Sequence, residues 1–304
     1  MDARPAGRGY DMALILSVLE QGMIYGILAL GVYITYKILD FPDLTVDGSF
    51  PFGAAVTVRM ISGMGLPAIL TLPVSFLGGA LVGICTGLIH VKLKVRDLLS
   101  GIVMMTGLYT INLWVAGSGY VPIFNKSSIF DNSFVNGICP GFLKDFKNVI
   151  IIFLITMVAK YLLDWYMSTK SGFLLRAVGD NDTIVTSLGV DKGLVKIVGL
   201  SIANGLVSLS GCIYAQQQRS FEISIGTGAV VIGLASVIIG TSLLGKATLL
   251  RVTSSVIIGS ILYKACVALA MFAGIDANAI KLVTSVLFLV ILVISMDRKK
   301  VKGC

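Results

Sequence analysis

Runs of about twenty apolar residues recur along this chain, each closed by charge or by Gly and Pro, and that repetition leaves few folds open. A bilayer core about 30 Å thick is crossed by ~20 helical residues. Only helices and closed barrels satisfy the backbone inside it. The runs cover residues 12–39, 66–91, 98–116, 149–166, 194–217, 226–244, 252–272 and 279–296. A further segment, residues 41–61, is too polar at its start for an ordinary span. Asp47 or Ser49 can cap a helix there whose first turn tolerates Pro51, so a short or partly re-entrant helix is expected. The reading is an all-α polytopic membrane protein with about nine transmembrane or re-entrant helices. Composition agrees: 13% of the 304 residues are charged and 56% hydrophobic, against about 25% charge in soluble domains.

Three parts are expected. Residues 1–11 carry no apolar run and read as a leader, foreign to the natural protein or upstream of an alternative start at Met12. Residues 12–297 form one membrane domain, and residues 298–304 a basic tail. The formal net charge of +8 is assigned to basic loops on the cytoplasmic side rather than to nucleic-acid binding. With the loop 170–196 inside, fourteen of the 24 Lys and Arg fall on that face and six on the other. An odd number of passes then puts the C-terminus in the cytoplasm and the N-terminus outside, with Arg4 and Arg8 as exceptions. The longest outward loop is 117–148, which either receives a delivery protein or only connects two spans.

Polar groups inside apolar runs carry the most information, because ionisable side chains there face a cavity or a partner. Glu20 in the first run and Lys264 in the run 252–272 stand at comparable depth, which suggests either an ion pair or positions on a solute pathway. Asn112, Asn204 and Gln216, Gln217 and Gln218 are amide candidates that could instead bridge helices. His90, the one histidine, lacks neighbours at metal-ligand or catalytic spacing and reads as an interface position. The five cysteines form no CxxC or Cys/His pattern, so neither a metal site nor a disulfide framework is expected. Gly240-Thr-Ser-Leu-Leu-Gly-Lys246 matches seven positions of a phosphate-cradling loop. It continues with Ala247 where Ser or Thr must reach magnesium, and it follows an apolar run rather than a strand. An echo of SVIIGT at 236–241 in SVIIGS at 255–260 is attributed to close helix packing.

Between the runs 149–166 and 194–217 lies a wet interlude, KSGFLLRAVGDNDTIVTSLGVDKGLVK, residues 170–196. Gly172 permits a sharp start; Leu174, Leu175 and Val178 share one side of a short helix, and Arg176, Asp180 and Asp182 the other. Asp180 or Asp182 can cap a second short turn ending at Gly189. Two readings remain open on residues alone: a docking helix, or an interfacial helix that merely joins two spans.

SGFLLRAVGDNDTIVTSLGVD resembles the cytoplasmic coupling-helix loop of the permease family that includes branched-chain amino acid importers. FPDLTVDGSFPFGAA is similar to the segment after the first span in its tryptophan/tyrosine subgroup. The resemblance implies a bacterial cell-membrane subunit that pairs with a second copy, a homodimer, within the lipid bilayer. It also implies docking to two ATPase subunits, which bind the ATP-Mg this chain does not, and delivery of a small solute by an extracellular substrate-binding lipoprotein. Arg176, Ala177, Gly179, Asp180, Asn181 and Gly189 match the family's docking loop, which departs from the pattern at residues 183–186. Asp43, Asp47, Gly48, Ser49 and Gly53 match the other motif, as shape and gating residues. Pathway and gating candidates are therefore Glu20, Asp43, Asp47, Ser49, Asn112 and Lys264, with an aromatic amino acid as the expected solute. Rival readings are an ion-coupled secondary transporter using Glu20 and Lys264, and a scaffold or sensor that transports nothing.

Overall fold

A computed structural model describes residues 8–124, 126–131, 146–187, 189–243, 251–272, 282–286, 288–290 and 292–293. In chain order the helices are α1 (Arg8–Val32), α2 (Val46–Val58), α3 (Thr71–Lys92), α4 (Asp97–Ala116), α5 (Lys147–Met167), α6 (Lys170–Asp180), α7 (Asp182–Ser187), α8 (Lys192–Gln218), α9 (Ala229–Leu243) and α10 (Val252–Phe272). Among the described residues seven helical stretches are long and apolar enough to cross a membrane. The chain is thus an all-α, multi-pass membrane protein, as its periodic apolar runs require. The run at 279–296 is described only in part, at 282–286, 288–290 and 292–293, and residues 1–7, 132–145, 244–250 and the tail lie outside the described residues.

The segment 41–61 is the short helix anticipated, and it is also the centre of the fold. At ~1.5 Å per residue, α2 is about 20 Å long, too short to span, and ten of its 13 residues are buried. Its neighbours are α3, α4 and α8. The approach is close because glycines leave room: a Cβ on Gly53 would fall on the Ser208 carbonyl, and one on Gly211 of α8 on the Phe50 carbonyl. Without water in the bilayer, helices are held by such close van der Waals contact and by interhelical hydrogen bonds. Gly79, Gly83 and Gly87 bring α3 against α8 in antiparallel order, meeting Asn204, Leu200 and Ile197 in turn. The SVIIGT and SVIIGS hexamers do the same job reciprocally. Gly240 of α9 abuts the Ser255 carbonyl of α10, and Gly259 of α10 abuts the Ser236 carbonyl of α9.

Pro51 requires a correction. It is the sixth residue of α2, beyond the first turn, and no side chain caps that helix. A proline there removes the N–H that would bond the Asp47 carbonyl. Gly226 instead packs its backbone against that carbonyl and the proline ring, where any Cβ would collide.

At the end of the bundle opposite α6, the all-α description needs one small amendment. Tyr120–Pro122 (β1) and Ser220–Glu222 (β2) pair antiparallel, with Val121 opposite Phe221. Arg219, in a left-handed turn that ends α8, clamps the ribbon by an ion pair to Asp131, which Lys147 joins at 3.2 Å. The Arg219 guanidinium, hydrogen-bonded to Asp131, holds that carboxyl below the usual carboxylate range, and Lys147 adds to the effect. A carboxylate with a lowered folded pKa stabilises above its unfolded value, about 3.9, and that contribution disappears as pH falls through the folded value. The ribbon amides are therefore expected to exchange hydrogen at one constant protection from pH 7 down to about 4, and faster only below it. In Arg219→Gln that acid step should vanish; a step that persists would disprove the clamp.

Candidate functional site

The polar motif between α1 and α2 builds a buried kernel. After α1 the backbone widens into a π-helical turn, Tyr33–Ile38, then reverses through Asp40 in a left-handed conformation. Wide turns of this kind concentrate at functional positions in helices. Asp43 next accepts the Thr45 N–H on Oδ1 at 2.9 Å, an Asx turn that starts α2. Its other oxygen accepts from Asn204 Nδ2 of α8 at 2.8 Å, while Asn204 Oδ1 accepts from the Ser49 hydroxyl at 2.6 Å. Asp43, Ser49 and Asn204 are all buried. One amide on α8 thus reads both ends of the α2 turn, and Asn204 is central rather than the minor bridge its sequence context suggests.

Asp47 does not cap its own helix. Its carboxylate faces the start of α9, accepting from Gly228 N at 3.1 Å and Val230 N at 2.8 Å. Unpaired N–H groups and the helix dipole make such a terminus a favourable place for a carboxylate. The segment Ile223–Gly226 descends from the ribbon, so α9 begins inside the bundle. Beside it Gly48 of α2 packs on Met105 and Leu108, halfway along α4. Irregular backbone at membrane depth is tolerated where it is buried or lines a cavity.

Such a cavity is present. It has a volume of about 420 Å³ and opens on one flank of the bundle. Pro51, Met105 and Ile223 supply an apolar wall, and Asp47, Thr106, Tyr109, Asn112, Ser224 and Thr227 the polar points. Asn112 donates to the Gly48 carbonyl at 3.1 Å, while its Oδ1 is buried with no hydrogen-bond partner among the described residues. A buried acceptor left without a partner costs free energy. Sequence reading missed Thr106, Tyr109, Ser224 and Thr227, because nothing local distinguishes them from ordinary helix and loop residues.

Glu20 and Lys264 do not pair with each other. Glu20 accepts from Gln217 Nε2 at 3.0 Å, while Lys264 reaches Gln21 Oε1 at 3.4 Å and lies 3.8 Å from the Tyr25 ring centroid. An amide and an aromatic face satisfy each ion without requiring the other. Neither residue lines the cavity.

The second candidate region is α6, held across the far end of the bundle. Thr169 accepts the Gly172 N–H at its start, and Leu175 and Val178 are buried while Leu174 is half-buried. Phe173, Arg176 and Asp180 face outward, and Ala177 is partly covered. Gly179 is a seat rather than an outward contact, since a Cβ there would fall on the Ile38 carbonyl that ends the π-helical turn. Asn181 is extended, α7 follows, and Gly189 closes the loop with φ +73°. The Asp182 side chain lies outside the described residues. Beneath Arg176, Asp164 of α5 accepts from Thr253 at 2.7 Å and pairs with Lys160 at 3.3 Å and Arg251 at 3.4 Å. The start of α10 is thereby tied to the floor under α6.

Comparison with known proteins gives the family. A tyrosine transport system permease protein of Clostridioides difficile is 38% identical over 281 residues, covering 92% of this chain and 91% of that protein. An uncharacterized Rickettsia prowazekii protein, RP368, is 29% identical over 92% of this chain and 96% of its own length. The ribose import permease protein RbsC of Haemophilus influenzae is 26% identical over 76% of this chain and 70% of its own. No solved structure matches. The family described as branched-chain amino acid transport system / permease component matches residues 14–296, and this chain, a multi-pass membrane permease of the ABC type, belongs to it.

Proposed function

We propose that this chain is the translocation subunit of an importer for an amino acid of the tyrosine class, working as a homodimer with two ATPase subunits and an external binding protein. The solute path runs past the cavity between α2, α4 and the start of α9, on the flank that a second copy closes. The observation that carries this reading is the conjunction, midway along α4, of a helix start, an apolar wall and the unpartnered Asn112 acceptor behind it. Transport sites in membranes favour such broken helices near the midplane. The tyrosine transport permease among the relatives supports the solute class. In this reading α6 presents Arg176 and Asp180 to the cytoplasm, where ATP-driven closure of the ATPases moves it. Asp43, Asp47 and Ser49 shape the path, and Glu20 and Lys264 hold helices together.

Liposomes holding the dimer, its ATPases and its binding protein test this. In Asn112→Leu, uptake is expected to fall about tenfold, the value of one hydrogen bond near 1.4 kcal/mol, with ATPase attachment intact. Uptake that continues without ATP and collapses with an uncoupler would sink the importer reading in favour of ion coupling.

A further inference from the structure

At the same end of the bundle as α6, a second groove of about 480 Å³ separates the α3–α4 turn from the start of α8. Lys94 and Arg96 line one side and Lys196 the other. Its two carboxylates are engaged within the protein. Asp191 Oδ1 accepts from Gly193 N at 2.8 Å, and Asp97 lies 3.6 Å from His90. His90 Nδ1 in turn is 2.9 Å from the Val95 carbonyl. With Lys94, Arg96, Lys192 and Lys196 against Asp97 and Asp191, four cations to two carboxylates, the groove keeps a net positive lining.

Lys94 sits two residues past the end of α3, just after its C-cap Leu93, with φ +54°. Glycine is the usual occupant of that left-handed position, because a Cβ is disfavoured there. A lysine in its place puts a charge on the groove at a backbone cost. Outside the rim the surface turns apolar at once. Leu93 is 70% exposed, Leu194 60%, and Leu88, one turn deeper on α3, 40%. Basic groups above an exposed apolar strip match a phosphate with acyl chains below it, the pattern of interfacial lipid recognition.

We propose that this groove binds the phosphate headgroup of an anionic phospholipid, whose chains lie along Leu88, Leu93 and Leu194. Lys94, Arg96 and Lys196 contact the phosphate. The site is independent of the solute path and of which way the chain faces, since both membrane surfaces offer headgroups.

Native mass spectrometry of the purified, delipidated chain titrated with phosphatidylglycerol or phosphatidylcholine tests it. The natural chain is expected to retain phosphatidylglycerol preferentially. Lys94→Gly combined with Lys196→Gln should weaken that retention at least about tenfold, since each surface cation contributes roughly fivefold. Lys94→Gly alone should weaken it about fivefold while folding at least as well, because glycine suits the turn. Arg176→Gln, on α6, should change nothing. Equal retention of both lipids by the natural chain, or undiminished phosphatidylglycerol on Lys94→Gly, would overturn the proposal. Inorganic phosphate binding alone to the same residues would replace the lipid by a free anion. Variants that keep the lipid but lose the ATPase subunits would make the groove a protein contact instead.

Discussion

Replacing Asn204 with leucine is expected to be among the most damaging single substitutions in this chain. Leucine has nearly the same size, so the hole left is small, but both polar partners are stranded. Asp43 Oδ2 loses its donor and the Ser49 hydroxyl loses its acceptor, and both groups are buried. Removing one partner of a buried charged hydrogen bond leaves the desolvation cost of the other uncompensated, ~3 kcal/mol or more. The thermal midpoint in detergent should drop by roughly 10 °C, and uptake should disappear with it. Asp43→Asn sharpens the test. Asp43 supplies two acceptor oxygens, one to Thr45 N and one to Asn204 Nδ2. An asparagine offers one, and sets an N–H₂ against an existing donor, so its loss of stability should be clear but smaller. A midpoint for Asn204→Leu within about 2 °C of the natural chain would show that the kernel contributes little.

The same kernel marks where sequence reasoning stopped. Length and polarity alone were enough to recognise residues 41–61 as a short, partly polar helix, because an apolar run either does or does not reach ~20 residues. They could not say that Asp47 would cap α9, whose bonded amides lie 181 and 183 residues away. Glu20 and Lys264 fail for a related reason. Their depth was legible, and Gln21, beside Glu20, does meet Lys264. Which side chain satisfies each ion depends on helix rotation, and Gln217 and Tyr25 turned out to be nearer. The β1–β2 ribbon joins residues about a hundred positions apart, and neither strand has enough length to show alternation. For α6, the amphipathic side was visible as Leu175 and Val178, yet its glycines were ambiguous. Gly179 and Gly189 look alike in a motif. In space, one abuts a carbonyl and the other is open with a positive φ.

That difference sets up the second large effect, Gly179→Val. Any Cβ at Gly179 falls on the Ile38 carbonyl, which is backbone and has no side-chain rotation with which to retreat. Either α6 lifts from the bundle or the π-helical turn at Tyr33–Ile38 is pushed aside, and α6 carries the smaller buried surface. Overpacking of this type costs ~1–3 kcal/mol, enough to unseat an eleven-residue helix without unfolding α1 to α5. The expected result is a folded chain with accelerated hydrogen exchange confined to α6 and the loop to Gly189. ATPase subunits should attach weakly, and ATP hydrolysis should no longer respond to the loaded binding protein. Gly107→Ala is the counterpart: a Cβ there meets nothing within 4 Å. Alanine in the middle of a helix is favoured over glycine by ~0.5–1 kcal/mol, so Gly107→Ala should be neutral or slightly stabilising. If Gly179→Val and Gly107→Ala behave alike, with α6 equally protected and ATPase response equally intact, α6 is not held by backbone contact at Ile38. The proposed line of force from α6 to the π-helical turn of α1, and from there to the Asp43 kernel, would then have to run elsewhere.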